Sequence, residues 1–450
     1  MPHTTEPISA RGPVIRPGDD AYDAELRGFQ LADRHEPDVI AGAADAGDVR
    51  AAVAYAAAHR MPIAVQASGH GLAAPLRGGL LISTRRMTGV TVDPAARTVR
   101  AEAGARWAAV ITAAAAHGLA PLNGSAPDVG VVGYTLGGGL GLLARRYGYA
   151  ADHVRAIDVV TPDGHARRAT PAAEPDLFWA LRGGRGNFGV ATAIEMDLVP
   201  LTRVYGGGLY HPAEPAVLDA WRTWTADLPD ELTSSIALIP FPDVPGPPEP
   251  LRGRHIAHIR VASTGTAAAG ERLVAPLRAA LGPALIDTLA EMPYTESAAI
   301  YSDPPGAHAY HGGNALLTGL TPDAVAAVFA HAGPGAPEPA VVQVRHLGGA
   351  LARPPEHPSA IGFRDAAYLV SVLTGVGDGG TAAADAAHRP LLDALRPLTA
   401  GRFLNYLYGA GTGDVPALYE PAAYRRLTEL KAAYDPHGLL RAGHDIPPAR

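Results

Sequence analysis

Three glycine clusters in the first 200 residues constrain this chain most: Ala67 to Gly71, Gly130 to Gly141 and Gly183 to Val190. Glycine has no Cβ, so backbone at such places can approach a ligand or another segment closely. Successive N–H groups in positive-φ turns also form concave anion sites suited to a pyrophosphate. A single cluster is explained equally well by plain turns; three together point to a ligand. The run Gly137-Gly-Gly-Leu-Gly141 lacks the spacing of a dinucleotide-binding fingerprint. No strand–turn–helix unit with an acidic residue about twenty positions on accompanies it, so a nicotinamide-binding fold is the weaker reading.

The elements around the clusters alternate between β-rich and Ala-rich stretches. Asp48 to Arg60 has apolar residues at helical spacing, and Pro62 to Gln66 reads as a short buried strand delivering His70 to a strand-to-loop turn. Val90 to Val92 and Thr98 to Ala101 flank the turn Asp93 to Ala96. Arg106 to Ala116 is a helix ending near Gly118, and Ala156 to Thr170 is a second hairpin around Pro162-Asp-Gly164. Residues 1–200 therefore read as one α+β unit. Beyond Leu201, Gly206-Gly-Gly208 and the proline-rich loop Phe241 to Pro250 punctuate a second unit, residues 201–400. Its strand candidates are 236–239, 255–261 and 368–374, and its helix candidates lie near 213–227, 267–281 and 383–396. These predict an antiparallel sheet backed by helices. Residues 401–450, with Phe403-Leu-Asn-Tyr406 and a helical Tyr424 to Tyr434, are expected to return to the first unit.

Composition excludes whole reaction classes. At 450 residues the chain exceeds one ordinary core. Its formal charge of −7 is spread rather than blocked, which gives no signal for a nucleic-acid partner. There are no cysteines, which removes disulfides, thiolate nucleophiles, iron–sulfur ligation and zinc–thiolate sites. Lys431 is the only lysine and follows no glycine-rich loop, so Walker-type nucleotide binding and Schiff-base catalysis are not expected. The preference for Arg, Ala, Pro and Gly reads as codon bias of a GC-rich bacterial genome. Histidines 308, 311, 331, 346 and 357 lack ligand spacing and neighbouring carboxylates, so no metal is expected. No paired carboxylates suggest a hydrolase. No apolar run reaches the ~18 residues of a spanning helix and Met1 to Val14 has no apolar core, so no membrane partner and a cytoplasmic location are expected. No motif specifies an oligomeric state.

In combination, the motifs Gln66-Ala-Ser-Gly-His70, Pro127-Asp-Val-Gly-Val-Val-Gly133, Leu136-Gly-Gly-Gly-Leu-Gly141 with Arg145-Arg-Tyr-Gly148, and Asp176 to Val190 are highly specific. They resemble the flavin domain of the vanillyl-alcohol oxidase and p-cresol methylhydroxylase (PCMH) superfamily, in its berberine-bridge-enzyme-like branch. The resemblance covers residues 35–200 and 401–448, where Leu404-Asn-Tyr406 and Leu430 to Pro436 match the closing segment. It implies a two-part FAD-binding domain with an inserted substrate domain. It also implies a covalent bond from His70 to the 8α-methyl of the isoalloxazine, to which a neutral imidazole is chemically suited. Relatives often add a cysteine link; Ala126 stands at that position, so a single histidyl link is expected. Ala67, Ser68, Gly69 and Gly71, with Val129, Gly130, Gly133, Gly137, Gly138, Gly139, Asn187, Gly189 and Val190, are the implied cofactor-binding residues. Gln66 replaces a common arginine. Val129 matches a position where valine accompanies oxidases and leucine dehydrogenases.

The resemblance implies an oxidase that takes hydride from a C–O or C–N carbon of a small organic substrate onto flavin N5, with molecular oxygen as second substrate and hydrogen peroxide as product. A bacterial secondary metabolite is the expected substrate class. The branch's usual tyrosine base, two residues before an asparagine, corresponds to Phe403, which cannot take a proton. Tyr406 is the first substitute, with Asn405 beside it and Tyr310 from the second unit; Tyr301 and His311 are further alternatives. The loss of that base leaves two other readings open: a non-redox cyclase with a structural flavin, and a dehydrogenase using another acceptor.

Overall fold

A parallel βαβ unit aims the first glycine cluster. In the computed structural model, which describes residues 8–336, 338–378, 380–409 and 414–449, strand Val39–Gly42 leads through helix Ala46–His59 to strand Ile63–Gln66. Strand Leu80–Ser83 lies between the two and pairs in parallel with each; Val14–Ile15 adds an antiparallel edge. The helix begins where the Asp45 carboxylate accepts the Asp48 N–H and ends at Arg60 in the left-handed region (φ 53°). Val49, Ala52, Val53 and Ala56, at three- and four-residue spacing, bury one helix face against the sheet. The C-terminal segment closes on the same place: Ile63 N–H donates to Leu439 O and Arg441 N–H to Ile63 O, both at 2.7 Å. Pairing fixes Ile63–Gln66 on both sides, so the turn after it leaves from a rigid base.

An antiparallel five-stranded sheet follows in the order Val90–Asp93, Thr98–Glu102, Val190–Asp197, Val154–Val160, Ala166–Ala169. Trp107, Phe178, Leu181, Ile157 and Ile194 belong to one core between this sheet and helices Trp107–Ala115 and Pro175–Gly184.

Residues 203–401 supply a nine-stranded antiparallel sheet running from strand Arg203–Pro212 to Thr399–Gly401. Helices Pro215–Thr225, Ala267–Leu281, Pro322–Ala332 and Gly380–Leu395 contribute to the core that covers one of its faces. Strand alternation sorts the residues. In His255–Ser263, Ala257, Ile259 and Val261 join that core, while His258 and Arg260 turn to the opposite face. In Val341–His346, Val342 and Val344 do the same, leaving Gln343 and Arg345 on the far side. The fold is α+β, with an antiparallel sheet backed by helices as the sequence suggests.

Two expectations need correction. Gly206-Gly-Gly208 is the middle of strand Arg203–Pro212, not punctuation between elements. Glycine is needed there because neighbours press on the strand: a Cβ on Gly206 would lie 2.7 Å from Ile300 Cδ1, and one on Gly208 would lie 2.2 Å from His258 Nε2. Strand Ile63–Gln66 is not buried throughout, because Val65 is exposed and lines a cavity. Among the described residues, no helix is long and apolar enough to cross a membrane.

Candidate active site

A cavity of about 840 Å3 lies between the glycine turns of the first 200 residues and the polar face of the nine-stranded sheet. It is of the size expected for a cofactor or ligand site. The turn 67–71, the segment 124–134, sheet residues including His258 and Gln343, and the C-terminal residues 440–443 all contribute to its wall.

His70 is held in this wall from three directions. Its ring stacks on Phe29 with centroids 3.9 Å apart and planes at 11°. Its Nδ1 lies 2.9 Å from Ser68 Oγ, which also accepts the Gly130 N–H, and its carbonyl accepts the Tyr310 hydroxyl at 2.8 Å. Nε2 is buried without a partner. Burial, reinforced by the Arg106 charge, lowers the His70 pKa to about 4, so the imidazole is neutral at pH 7. Gly69 makes the turn possible. It sits at φ +68°, and a Cβ there would come within 2.6 Å of Gly28 Cα. This close approach is tied by Phe29 N–H to Ser68 O and Gln30 N–H to Gly69 O, each 3.0 Å.

The cavity brings together Ala67, Ser68, Gly69, His70, Gly71, Ala126, Val129, Gly130, Gly133, Gly189 and Val190. Gly137, Gly138, Gly139 and Asn187 do not line it. The three glycines instead allow close packing: a Cβ on Gly137 would strike Asn405 Oδ1 at 1.8 Å, on Gly138 the Phe403 ring at 3.1 Å, and on Gly139 the Tyr134 ring at 2.7 Å. Asn187 ties the C-terminus down. Its Nδ2 donates to Gly184 O and His444 O, and its Oδ1 accepts the Ile446 N–H.

Tyr406, Asn405 and Tyr310 all line the cavity. Asn405 Nδ2 donates to Tyr134 O (2.8 Å) and its Oδ1 accepts from Arg185 Nη2 (3.1 Å). Burial raises the phenols of Tyr406 and Tyr310; the Arg345 guanidinium, centred 4.8 Å above the Tyr406 ring, opposes the rise at Tyr406. Phe403 is turned away. Its ring packs on Gly138 and stacks on Tyr149 at 5.6 Å, outside the cavity wall. Of the further alternatives, Tyr301 faces the cavity, whereas His311 is buried elsewhere with Nε2 2.7 Å from Asp385 Oδ1.

Sequence reasoning missed Phe29, Tyr134, Arg185, Arg260 and Arg345, all of which line the cavity. Arg185 had a local signal, a bulky cation inside a glycine run, and it sits at φ 54° with Nε buried and unpartnered. Burial lowers its pKa to about 10. Arg260 and Arg345 had the signal of charged residues alternating with Ile and Val in strands.

The wall fits FAD. An unpartnered imidazole nitrogen faces it, and Cβ atoms on Gly133 and Gly186 would meet nothing within 4 Å, so backbone there is open to a ligand. A family model described as an FAD binding domain matches residues 37–170. The (R)-6-hydroxynicotine oxidase of Paenarthrobacter nicotinovorans is 29% identical over 98% of each chain. The crystal structure of 6-hydroxy-D-nicotine oxidase from Arthrobacter nicotinovorans superposes with a TM-score of 0.82 at 26% identity, over 98% of this chain and 99% of that one. A BBE-like protein of Physcomitrella patens shares the fold, with a TM-score of 0.86 at 17% identity over 98% of each chain. Along its whole length, and on one fold around an FAD-type cavity, the chain is similar to PCMH-type, berberine-bridge-enzyme-like FAD-linked oxidoreductases.

Proposed function

We propose that this enzyme carries FAD on His70 through a single covalent link and oxidises a C–O or C–N carbon of a small organic molecule, a bacterial secondary metabolite, with O2 as terminal acceptor. The observation that carries the proposal is His70 itself: a neutral imidazole, clamped by Phe29, Ser68 and Tyr310, with one buried ring nitrogen unpartnered. Without any cysteine in the chain, a second link through sulfur is impossible. Bound FAD supplies a two-electron acceptor for a substrate hydride, with hydrogen peroxide as the by-product of its reoxidation.

The protein's own groups do the rest. The turn 67–71 and Gly130 would hold the cofactor through backbone N–H groups, and Arg185 supplies a positive charge beside Gly71. Tyr406 Oη would hydrogen-bond the substrate heteroatom and, acting as the phenolate that the Arg345 guanidinium over its ring favours, would take its proton as hydride leaves. Asn405, anchored to Tyr134 O, fixes the short helical turn Leu404–Tyr406 that carries it. We assign residues 1–200 and 401–450 to the cofactor unit and 201–400 to the substrate unit, in keeping with the sheets each segment builds. Val129 in the wall supports oxidase over dehydrogenase behaviour. The non-redox alternative drew on Phe403, whose ring lies outside the cavity, so no observation now favours it.

The test is an absorbance spectrum before and after acid precipitation, for the natural protein and for His70→Ala. Yellow colour in the natural pellet and none in the variant pellet is the expected result. Flavin released wholly to the supernatant by the natural protein refutes the covalent link; a colourless protein refutes the flavin assignment.

A further inference from the structure

Burying an ion is costly unless an opposite charge or several hydrogen bonds compensate it. Among the described residues most buried charges obey that rule. Glu25 is held by Arg86 through two bonds of 2.7 Å, and Lys431 pairs with Asp435 at 2.6 Å. Asp48 accepts three backbone N–H groups. Arg145 donates to the carbonyls of Leu228, Leu232 and Leu347, and Arg182 to those of Phe178, His357 and Pro358.

Among the described residues Arg260 and Arg345 are exceptions on the sheet, as Arg185 is beside the glycine turns. They are 5% and 8% exposed, and among the described residues neither has a carboxylate within 4.0 Å. Arg345 Nη1 donates to the Tyr301 hydroxyl at 3.0 Å, and its Nε is buried without a partner. Arg260 Nε donates to His258 Nδ1 at 3.1 Å. Both pair in register with Ser235, one from each side, so they stand on the same sheet face, roughly 10 Å apart across two strand spacings. Tyr301 lies between them, its ring centroid 4.6 Å from one guanidinium and 4.9 Å from the other. Asp303, the one acidic side chain in the cavity wall among the described residues, is exposed and makes no ion pair with either. Both arginines face the cavity, and Arg345 lies over the ring of Tyr406.

We infer that Arg345 and Arg260 form a subsite for a carboxylate carried by the substrate, so that the enzyme acts on organic acids rather than on neutral or cationic molecules. The inference rests on the oxidase reading above for what happens at the other end of the substrate. A guanidinium with free N–H groups in a low-dielectric wall is matched by a planar carboxylate, which it can bind through two parallel hydrogen bonds. The same two positive charges repel an ammonium group. Placing the acid on Arg345 puts the rest of a small substrate beside Tyr406, where the proton is to be taken. The pyrophosphate of FAD is a less suitable partner, because these arginines stand on the sheet and not on the glycine turns.

Calorimetric titration of the holoenzyme with matched probes tests this: benzoate, benzamide and benzylamine; octanoate and octanamide; 4-hydroxyphenylacetate and its amide. At least one carboxylate is expected to bind about tenfold or more tightly than its amide, as for a charge-assisted contact. Arg345→Gln and Arg260→Gln should reduce that preference to less than threefold, and Arg345→Lys should restore part of it. The proposal is overturned if no carboxylate binds tenfold better than its amide, or if benzylamine binds best. It is equally overturned if the Gln variants keep the preference but lose flavin, which assigns the guanidinium groups to the cofactor. Heat of binding does not depend on colour. A colourless protein that still selects carboxylates would therefore refute the flavin reading alone, and a yellow protein without selectivity would refute this one alone.

Discussion

Replacing Lys431 with methionine tests how the C-terminal segment is held to the cofactor side of the molecule. Lys431 is 2% exposed; its Nζ donates to Asp435 Oδ2 at 2.6 Å and to Asn187 O at 2.8 Å. Asp435 in turn accepts the N–H groups of Leu439 (2.8 Å) and Leu440 (3.0 Å), the residues that run beside Ile63. Lys431→Met keeps the aliphatic stem but removes the ammonium, leaving a buried carboxylate with two backbone donors and no counter-charge. Breaking a buried pair from one side costs about 3–5 kcal/mol. At roughly 2–4 °C per kcal/mol for a unit of this size, the thermal midpoint should fall by about 6–20 °C. Circular dichroism during heating reads the midpoint, and hydrogen exchange should show faster exchange at 439–441. The double variant Lys431→Met/Asp435→Asn removes both charges, while the Asn oxygen still accepts one of the two backbone N–H groups. It should recover more than half of the loss. A midpoint within about 2 °C of the natural protein, or a double variant no better than the single, refutes the reasoning, since ~3 kcal/mol could not then reside in this contact.

Acid should weaken the fold well before its carboxylates titrate. Burial holds His35 and His388 at about 4 and His346 at about 3, all below the ordinary value of 6.5. The unfolded chain thus binds more protons between pH 6.5 and about 4, so stability is complete above that window and falls as pH falls through it, by ~2 kcal/mol per such histidine at pH 5. A thermal midpoint unchanged between pH 7 and pH 5 would contradict this. Tyr406→Phe should lower kcat/KM by roughly 10²–10⁴-fold if its hydroxyl moves the substrate proton. Its acid pellet should stay yellow; a loss below tenfold removes Tyr406 from that role.

Glycines and caps made much of the cofactor side legible. The helix Ala46–His59 and the strand Ile63–Gln66 come close to what spacing alone suggests. The turn at Gly69 follows from a glycine at a place where backbone meets backbone. Yet glycine speaks for close approach without naming the neighbour. Gly137 to Gly139 made room for Asn405, Phe403 and Tyr134, not for a ligand, and Gly206 to Gly208 made room for Ile300 and His258 inside a strand. Nor does a position in a motif fix direction. Phe403 and Tyr406 bracket one short helical turn, and only the second faces the cavity.

The substrate side was least legible for a reason that strand geometry supplies. A strand such as His255–Ser263 has two readers: the helices, which see Ala257, Ile259 and Val261, and the cavity, which sees His258 and Arg260. Core pressure constrains the first set and leaves the second free to follow the ligand. A search for apolar runs therefore finds the sheet and passes over the residues that give it a purpose. Arg345 and Arg260 acquire meaning only once Ser235 sets them side by side, with Tyr301 between them and Tyr406 beneath one of them. Residues 85 positions apart in sequence become one charged surface because three antiparallel strands share a register. On the proposed reading, substrate choice is accordingly a property of pairing across strands, which no single segment of the sequence contains.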